Sequence, residues 1–178
     1  MPDLMKNKDL DAEKTMETLL RNKVFSPGRH EKLKGLLTSG EVAGFREVAG
    51  IPYTLSGTVV EGNRVGRTLG YPTANLKPDD QSMTLPGQGV YAALVSVLGK
   101  HYESMVNVGI RPTLDLENVT IEAHIFDFNQ DIYGKHMEIV FLERMRDEMR
   151  FNSLSELKMQ LDKDARHARS VLQETKLS

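Results

Sequence analysis

GTVVEGNRVGRTLGYPTAN, from Gly57 to Asn75, is the stretch around which the rest of the chain can be understood. Its β-branched opening is typical of a strand. The glycines that follow allow tight turns and a close approach of the backbone to a ligand. Two arginines, Arg64 and Arg67, bring positive charge and forked donors that suit phosphate. The stretch therefore predicts a phosphate-binding loop with glycines at Gly57, Gly62, Gly66 and Gly70.

The tetrapeptide Pro72-Thr73-Ala74-Asn75 closes this stretch. Pro72 favours extended geometry in the residue before it. If the chain stays extended, Thr73 and Asn75 project from the same face, because strand side chains alternate. A hydroxyl and an amide oxygen are hard neutral ligands that suit Mg²⁺ when phosphate and water fill its other positions. The alternative is a hairpin in which glycine and proline only make turns.

The composition limits the classes of protein to consider. The chain has 178 residues, a net charge of −2 and no cysteine, so it is long enough for one domain with a small appendage. The absence of cysteine excludes disulfides and thiolate metal sites. A polar N-terminus, without an apolar signal core, predicts a cytoplasmic protein. Binding to nucleic acid or membrane is not expected, since no basic field exists, and a monomer is expected.

Helical patterns dominate residues 1–50. The patterns predict helices over Asp9–Asn22, His30–Leu37 and Glu41–Val48, and the last two are separated at Ser39-Gly40. These residues are too few for a stable domain alone. We expect a helical extension or linker that packs against the main body, with buried positions at Leu33, Leu36, Leu37, Val42, Phe45 and Val48.

From Tyr53 onward the chain reads as strands. Short strands with turn signals between them predict a closed or nearly closed barrel, and they cover Thr54–Glu61, Val90–Leu98, Tyr102–Gly109, Val119–Phe128 and Met137–Arg144. A helix follows the last strand, because Ser153 and Glu156 form a capping box. Its predicted apolar face consists of Leu154, Leu157, Leu161, Ala165, Ala168 and Leu172.

The sequence G-R-T-L-G-Y-P-T-A-N at 66–75 resembles the signature of riboflavin kinases, including the C-terminal module of bacterial bifunctional riboflavin kinase/FAD synthetases. The resemblance extends over roughly Glu31 to Leu172. It implies a mainly β fold, a six-stranded Greek-key barrel at 51–178 with a C-terminal helix and short N-terminal helices. It also implies ATP- and Mg²⁺-dependent phosphorylation of riboflavin, with riboflavin/FMN and ATP/ADP as ligands.

A second motif, Asn118–Gly134, contains the candidate catalytic residue. Strand alternation puts Thr120, Glu122, His124 and Phe126 on one face. A carboxylate beside a nucleotide can accept the proton of an attacking hydroxyl. The resemblance gives this role to Glu122, because the family has a glutamate in a similar E-x-H strand followed by D-x-Y-G. An exposed strand glutamate is the alternative, and a structural role is favoured for His124.

The remaining binding residues come from the resemblance. The nucleotide-binding residues that it implies are Gly62, Gly66, Arg67, Gly70, Pro72, Thr73, Asn75, Gly87 and Tyr91. The flavin-binding residues that it implies are Asn107, Arg111, Arg144 and Arg146. A plain turn at 107–113 and a solvated run of charges at 141–148 are the alternatives for the flavin set. The metal ligands implied are Thr73 and Asn75.

Other kinase signatures are missing. The chain has no G-x-x-x-x-G-K-[ST] and no H-R-D with D-F-G. We also expect no adenylyltransferase domain, since only a tail resembling its connecting helices precedes the barrel, and Gly50-Ile51-Pro52-Tyr53 replaces the family's G-R-P-Y. A flavin-binding regulatory or interaction module is the main alternative function. A barrel that binds nucleic acid is disfavoured by mild acidity and few aromatic residues.

Overall fold

The computed structural model describes residues 27–62, 65–112 and 117–177. Two helices come first, α1 (Pro27–Thr38) and α2 (Val42–Ala49). The body consists of β1 (Tyr53–Val60), the short helix α3 (Val65–Thr68), β2 (Ala74–Pro78), β3 (Gly89–Val97), β4 (Lys100–Pro112), β5 (Glu117–Ile125) and β6 (His136–Arg146). The long helix α4 (Leu154–Leu177) ends the described chain.

The six strands close into an antiparallel barrel with the order β1-β2-β5-β4-β3-β6. Strands β3, β4 and β5 follow one another along the chain, and β6 returns to lie beside β3. This arrangement is a Greek key. It confirms the predicted fold, a mainly β barrel with a C-terminal helix and short helices before it. Closure gives each of the six described strands two neighbouring strands.

Alternation along the strands fills the barrel. On β5, Ile121, Ala123 and Ile125 point inward and are buried, whereas Thr120, Glu122 and His124 lie on the outer face and are half-buried. This agrees with the predicted faces. The buried interior also includes Leu55 and Val59 of β1, Val95 of β3, Val106 and Val108 of β4, and Met137, Ile139 and Phe141 of β6.

Three details differ from the sequence predictions. The segment Ala74–Pro78 is a strand of its own, which strand propensity missed because it is short and ends in Lys77-Pro78. Strand β5 ends at Ile125, because Asp127 takes a left-handed backbone conformation (φ 56°) and turns the chain. Strand β3 ends at Val97 and not at Leu98, because Leu98 and Gly99 both have positive φ and form the β3–β4 turn.

Helices α1 and α2 share the core of the barrel. Leu33 and Leu37 of α1, with Val42 and Phe45 of α2, are buried in the same apolar cluster as the barrel interior. The Phe45 ring meets the Tyr53 ring edge-on, with centroids 5.5 Å apart. These contacts match the predicted buried positions. The predicted helix at Asp9–Asn22 lies outside the described residues, and the domain boundary at residue 50 stays a prediction.

Helix α4 begins at the predicted capping box. The Glu156 amide donates to Ser153 Oγ (3.1 Å), and the Glu156 carboxylate accepts from the Asn152 amide (2.9 Å). Ala168, Val171 and Leu172 pack on Ala92, Met105, Phe126 and Leu142 of the barrel's outer surface. Leu154 departs from the predicted apolar face and is 59% exposed, because the first turn of the helix extends beyond the barrel.

Candidate active site

Two cavities adjoin the segment between α3 and β2, and Thr73 lines both of them. The first, of about 420 Å³, is called the mouth cavity and is lined by Val59, Arg67, Pro72, Thr73, Ala74, Ala123, Ile125 and residues 128–133. The second, of about 300 Å³, is called the helix cavity and is lined by Val65, Gly66, Tyr71, Thr73, Val90, Met105, Asn107, Glu122, His124, Arg146, Glu148, Met149, Phe151, Leu157, Leu161 and Asp164.

The segment between α3 and β2 is folded tightly on itself. The Gly66 carbonyl accepts hydrogen bonds from the amides of Leu69 (3.1 Å) and Tyr71 (2.8 Å). A Cβ on Gly66 would lie 2.2 Å from the Tyr71 carbonyl oxygen, so only glycine fits there. Gly70 adopts a left-handed conformation (φ 84°), which favours glycine. Both glycines thus shape the walls around Thr73.

Polar side chains form a row across three neighbouring strands. Glu122 of β5 lies opposite Asn75 of β2 on one side and opposite Asn107 of β4 on the other. The Thr73 hydroxyl lies 3.5 Å from Glu122 Oε2. Gly62 covers the Asn75 carboxamide, and a Cβ at Gly62 would come within 2.1 Å of Asn75 Nδ2. The row brings hydroxyl, amide and carboxylate groups together on the outer face, where Thr73 lines both cavities and Glu122 and Asn107 line the helix cavity.

The far wall of the helix cavity combines an ion pair with apolar side chains. Arg146 binds the carboxylate of Asp164 through Nε (3.0 Å) and Nη2 (2.7 Å). Gln160 Nε2 also donates to Asp164, at 2.8 Å. Asp164 is only 4% exposed, so three charged or polar contacts hold it inside the molecule. Met105, Phe151, Leu157 and Leu161 supply apolar surface beside this pair.

Tyr71 and His124 form the boundary between the loop and the strand. Their rings meet edge-on with centroids 5.0 Å apart. His124 Nδ1 lies 2.8 Å from the Pro72 carbonyl, so Nδ1 carries the proton and donates. Burial lowers the pKa of His124, which keeps the ring neutral. The histidine thereby fixes the backbone next to Thr73, in agreement with its predicted structural role.

Six predicted binding residues line neither cavity, namely Gly62, Gly70, Asn75, Gly87, Tyr91 and Arg144. Asn75 lines a third cavity instead, together with Glu61, Lys77 and Thr120. Tyr91 is fully buried in the barrel core and donates its hydroxyl hydrogen bond to the Gly87 carbonyl. Gly87 packs against the end of α1, where its amide donates to the Leu37 carbonyl (2.8 Å). The Arg144 side chain also lies beside this segment, where it donates to the carbonyl of Gln88, the residue after Gly87 (2.5 Å). The Arg111 side chain lies outside the described part of the chain.

Two features are absent from the part of the chain that the structure describes. Within residues 27–62, 65–112 and 117–177, no group of three or more histidine, aspartate or glutamate side chains is placed to hold a metal ion. In the same ranges, no helix has both the length and the apolar character needed to cross a membrane.

The riboflavin kinase model of the flavokinase family matches residues 49–172 of the chain. The chain belongs to the riboflavin kinase family. The match covers the whole barrel and most of α4, including both cavities and the row of polar side chains. It also shows that the E-x-H strand and the P-T-A-N segment, which carried the resemblance in the sequence, lie within one family module.

Curated relatives agree with this family membership. The chain is 37% identical over 139 residues to a bifunctional riboflavin kinase/FMN adenylyltransferase of Bacillus subtilis, covering 76% of this chain and 44% of that protein. It is 39% identical over 141 residues to the protein of the same name from Escherichia coli K12, covering 79% and 44%. The chain spans about half the length of the curated relatives it matches.

A solved structure agrees with the fold. A Streptococcus pneumoniae protein, described as a macrolide-efflux protein, superposes with a TM-score of 0.74 at 39% sequence identity. The superposition covers 78% of this chain and 45% of that chain. The barrel seen here is thus shared with a protein of considerable sequence similarity.

Sequence reasoning missed two parts of the family module's site. Residues 128–133 line the mouth cavity. They overlap the D-x-Y-G part of the second motif, for which no place in the site was predicted. Tyr71 lines the helix cavity and contacts α4. Tyr71 directly follows Gly70, and a large aromatic side chain at that point indicated contacts beyond the loop. The sequence alone does not show that its partner is α4.

Proposed function

We propose that the chain transfers the γ-phosphoryl group of ATP to the ribityl 5′-hydroxyl of riboflavin, giving FMN and ADP. Membership of the riboflavin kinase family supports this reaction. The observation that carries it further is the position of Thr73 and Glu122. Their side-chain oxygens lie 3.5 Å apart, and Thr73 lines both cavities, so two substrates could meet beside one carboxylate.

The chemistry of the walls assigns one substrate to each cavity. The mouth cavity includes Arg67 from the glycine-rich segment, and its guanidinium suits the phosphates of ATP. Gly66, Gly70 and Pro72 shape that segment, while Gly62 shapes the site of Asn75. The helix cavity offers apolar and aromatic side chains that suit the flat flavin ring, together with Asn107 and Arg146 at its polar side.

The oxygen donors fit Mg²⁺. Thr73 and Asn75 project from the outer face beside Glu122, and the Asn75 carboxamide has room because residue 62 is glycine. A hydroxyl and an amide oxygen, with substrate phosphates and water as further ligands, match the preferences of this ion. Mg²⁺, when bound, neutralises charge on the phosphates. Thr73 and Asn75 are the residues that would hold it.

Glu122 is proposed as the general base. Its carboxylate would take the proton of the ribityl hydroxyl as the oxygen bonds to the γ-phosphorus and the bond to the bridging oxygen of ADP breaks. His124 and Gly66 hold the backbone around Thr73 through their hydrogen bonds, so Thr73 is positioned beside Glu122 before the reaction begins. Positioning supplies most of the acceleration in such transfers, and the base adds typically about 10²–10⁴-fold.

The test is FMN formation from riboflavin, ATP and Mg²⁺, followed by chromatography. The protein should make FMN, and Glu122→Gln should lower kcat by about 10²-fold or more while flavin affinity changes little. Glu143→Gln is the matched control, because Glu143 is an exposed glutamate on β6 outside both cavities. Its turnover should equal that of the unmodified protein.

Two results would count against the proposal. Flavin binding without any FMN over a range of pH and Mg²⁺ concentration would instead identify a flavin-binding regulatory module. Full turnover in Glu122→Gln would remove Glu122 from the chemistry and leave the reaction assigned to positioning alone.

A further inference from the structure

Tyr71 belongs to the glycine-rich segment, residues 65–73, which is called the loop below. It also contacts the C-terminal helix α4. Its backbone amide donates to the Gly66 carbonyl at 2.8 Å, which ties it to the loop. Its hydroxyl donates to Asp162 Oδ1 of α4 at 2.5 Å. The two contacts place one residue between the loop that lines the mouth cavity and the helix that lines the helix cavity.

The contact with α4 is reinforced by charge. Lys158 Nζ lies 3.1 Å from Asp162 Oδ1 and 5.4 Å from the centre of the Tyr71 ring. Burial, followed by the hydrogen bond to Asp162, raises the pKa of Tyr71 to about 12, so the phenol keeps its proton at physiological pH. The same hydrogen bond, together with Lys158, lowers the pKa of the Asp162 carboxyl. The Tyr71 phenol therefore keeps the proton that it donates, and the Asp162 carboxylate stays ionised and accepts the hydrogen bond.

The loop and the helix contribute to the cavities differently. Arg67 and Pro72 of the loop line the mouth cavity, and Gly66 and Tyr71 of the same loop line the helix cavity. Helix α4 lines only the helix cavity, through residues in the turns on either side of Asp162, namely Leu157, Leu161 and Asp164. A ligand in one cavity therefore orders the loop, whereas a ligand in the other contacts both the loop and the helix.

We propose that Tyr71 is a positioning residue whose hydrogen bond to Asp162 couples the two cavities, so that nucleotide bound at the loop raises the affinity of the helix cavity for flavin. The ligand identities rest on the proposed function. The coupling must be reciprocal, so flavin raises the affinity for nucleotide by the same factor. Tyr71 touches no reacting atom in this scheme and acts through the loop and the helix.

The experiment measures the dissociation constant of riboflavin by calorimetry or by flavin fluorescence, with and without saturating ADP–Mg²⁺. In the unmodified protein we expect ADP–Mg²⁺ to tighten riboflavin binding by about fivefold or more. Tyr71→Phe keeps the ring and removes only the hydroxyl. We expect it to lower this ratio by about threefold or more, towards one, because the link from the loop to Asp162 is lost.

Matched variants separate coupling from packing. Tyr102→Phe removes a hydroxyl from a ring that packs on Phe128 and lies outside the helix cavity, so its ratio should equal that of the unmodified protein. Asp162→Ala, which removes the acceptor, should lower the ratio as Tyr71→Phe does. The double variant should lower the ratio no further than Asp162→Ala alone, because the Tyr71–Asp162 hydrogen bond is already lost in that variant.

The outcomes distinguish this inference from the proposed function. FMN formation by the unmodified protein decides the function, whatever the ratio. A ratio near one in that protein, or an unchanged ratio in Tyr71→Phe, would overturn the coupling. Equal weakening of riboflavin binding with and without ADP–Mg²⁺ would do the same, since it would show that the hydroxyl only supports packing.

Discussion

The barrel is covered by helices in two places, and the two contacts are built differently. Helices α1 and α2 add Leu33, Leu37, Val42 and Phe45 to the apolar interior of the barrel. Helix α4 covers the outer surface with a smaller apolar cluster and a set of polar contacts. Those contacts include Arg146–Asp164, Tyr71–Asp162 and Arg169–Asp127.

The difference separates stability from function. Close apolar packing is sensitive to any change in volume and fixes one arrangement. Polar contacts depend on geometry and tolerate water between their partners, and in this protein Tyr71, Arg146 and Asp164 of these contacts line the helix cavity. We infer that the α1–α2 contact stabilises the fold, whereas the α4 contact forms the site.

The largest effect on stability is expected in the α1–α2 contact. Phe45 is 4% exposed and meets Tyr53 edge-on, so Phe45→Ala should lower the free energy of unfolding by about 3–5 kcal/mol. Urea titration followed by circular dichroism measures it. Met159→Ala, at a 56% exposed position on α4, is the control and should change stability by less than about 0.5 kcal/mol. Similar losses in the two variants would contradict the comparison.

A smaller loss is expected in the α4 contact. Asp164→Ala leaves the Arg146 guanidinium without its carboxylate in a largely buried position and should cost about 2–3 kcal/mol. Riboflavin binding should also weaken, because Arg146 lines the helix cavity. The double variant Arg146→Met/Asp164→Leu should recover most of the stability, since apolar residues often replace a buried pair without loss. It should not recover binding, and recovered binding would show that the pair serves packing alone.

The smallest effect is expected from pH at His124. Burial lowers its pKa in the folded protein, so below about pH 6.5 the unfolded chain takes up the proton first. Stability should be fully present above that pH and should decline as the pH falls. Thermal melting between pH 7.5 and pH 5 measures the decline, and His124→Gln should flatten part of it. Parallel curves for the two proteins would mean that His124 does not contribute.

Most of the fold followed from patterns that the sequence displays directly. Alternation identified five strands, and the capping box located the start of α4 within a residue. The sixth strand, Ala74–Pro78, was missed by propensity and was implied only by the family resemblance. Strand β2 forms because β1 and β5 offer it partners on both sides, a tertiary effect that local propensity cannot express.

The sequence indicated which motif residues lie near one another, but it did not indicate the direction in which each side chain points. Thr73, Asn75 and Glu122 were expected together, and the ladder brings them together. Arg144 and Arg146 looked equivalent in the sequence. In the structure Arg144 contacts Gln88, whereas Arg146 contacts Asp164. The pairing of β3 with this part of β6 contains β-bulges. Register shifts of this kind change which neighbour a side chain meets, and no sequence pattern signals them.

The short strand β2 has a consequence for the motion of the barrel. It meets β5 through only two paired residues, Ala74 with Ala123 and Asn75 with Glu122, whereas β3 and β4 are paired along their whole shared length. Opening the barrel between β2 and β5 would therefore break the fewest of the described strand pairings. The row of polar side chains crosses this junction, so such an opening would also separate Asn75 from Glu122.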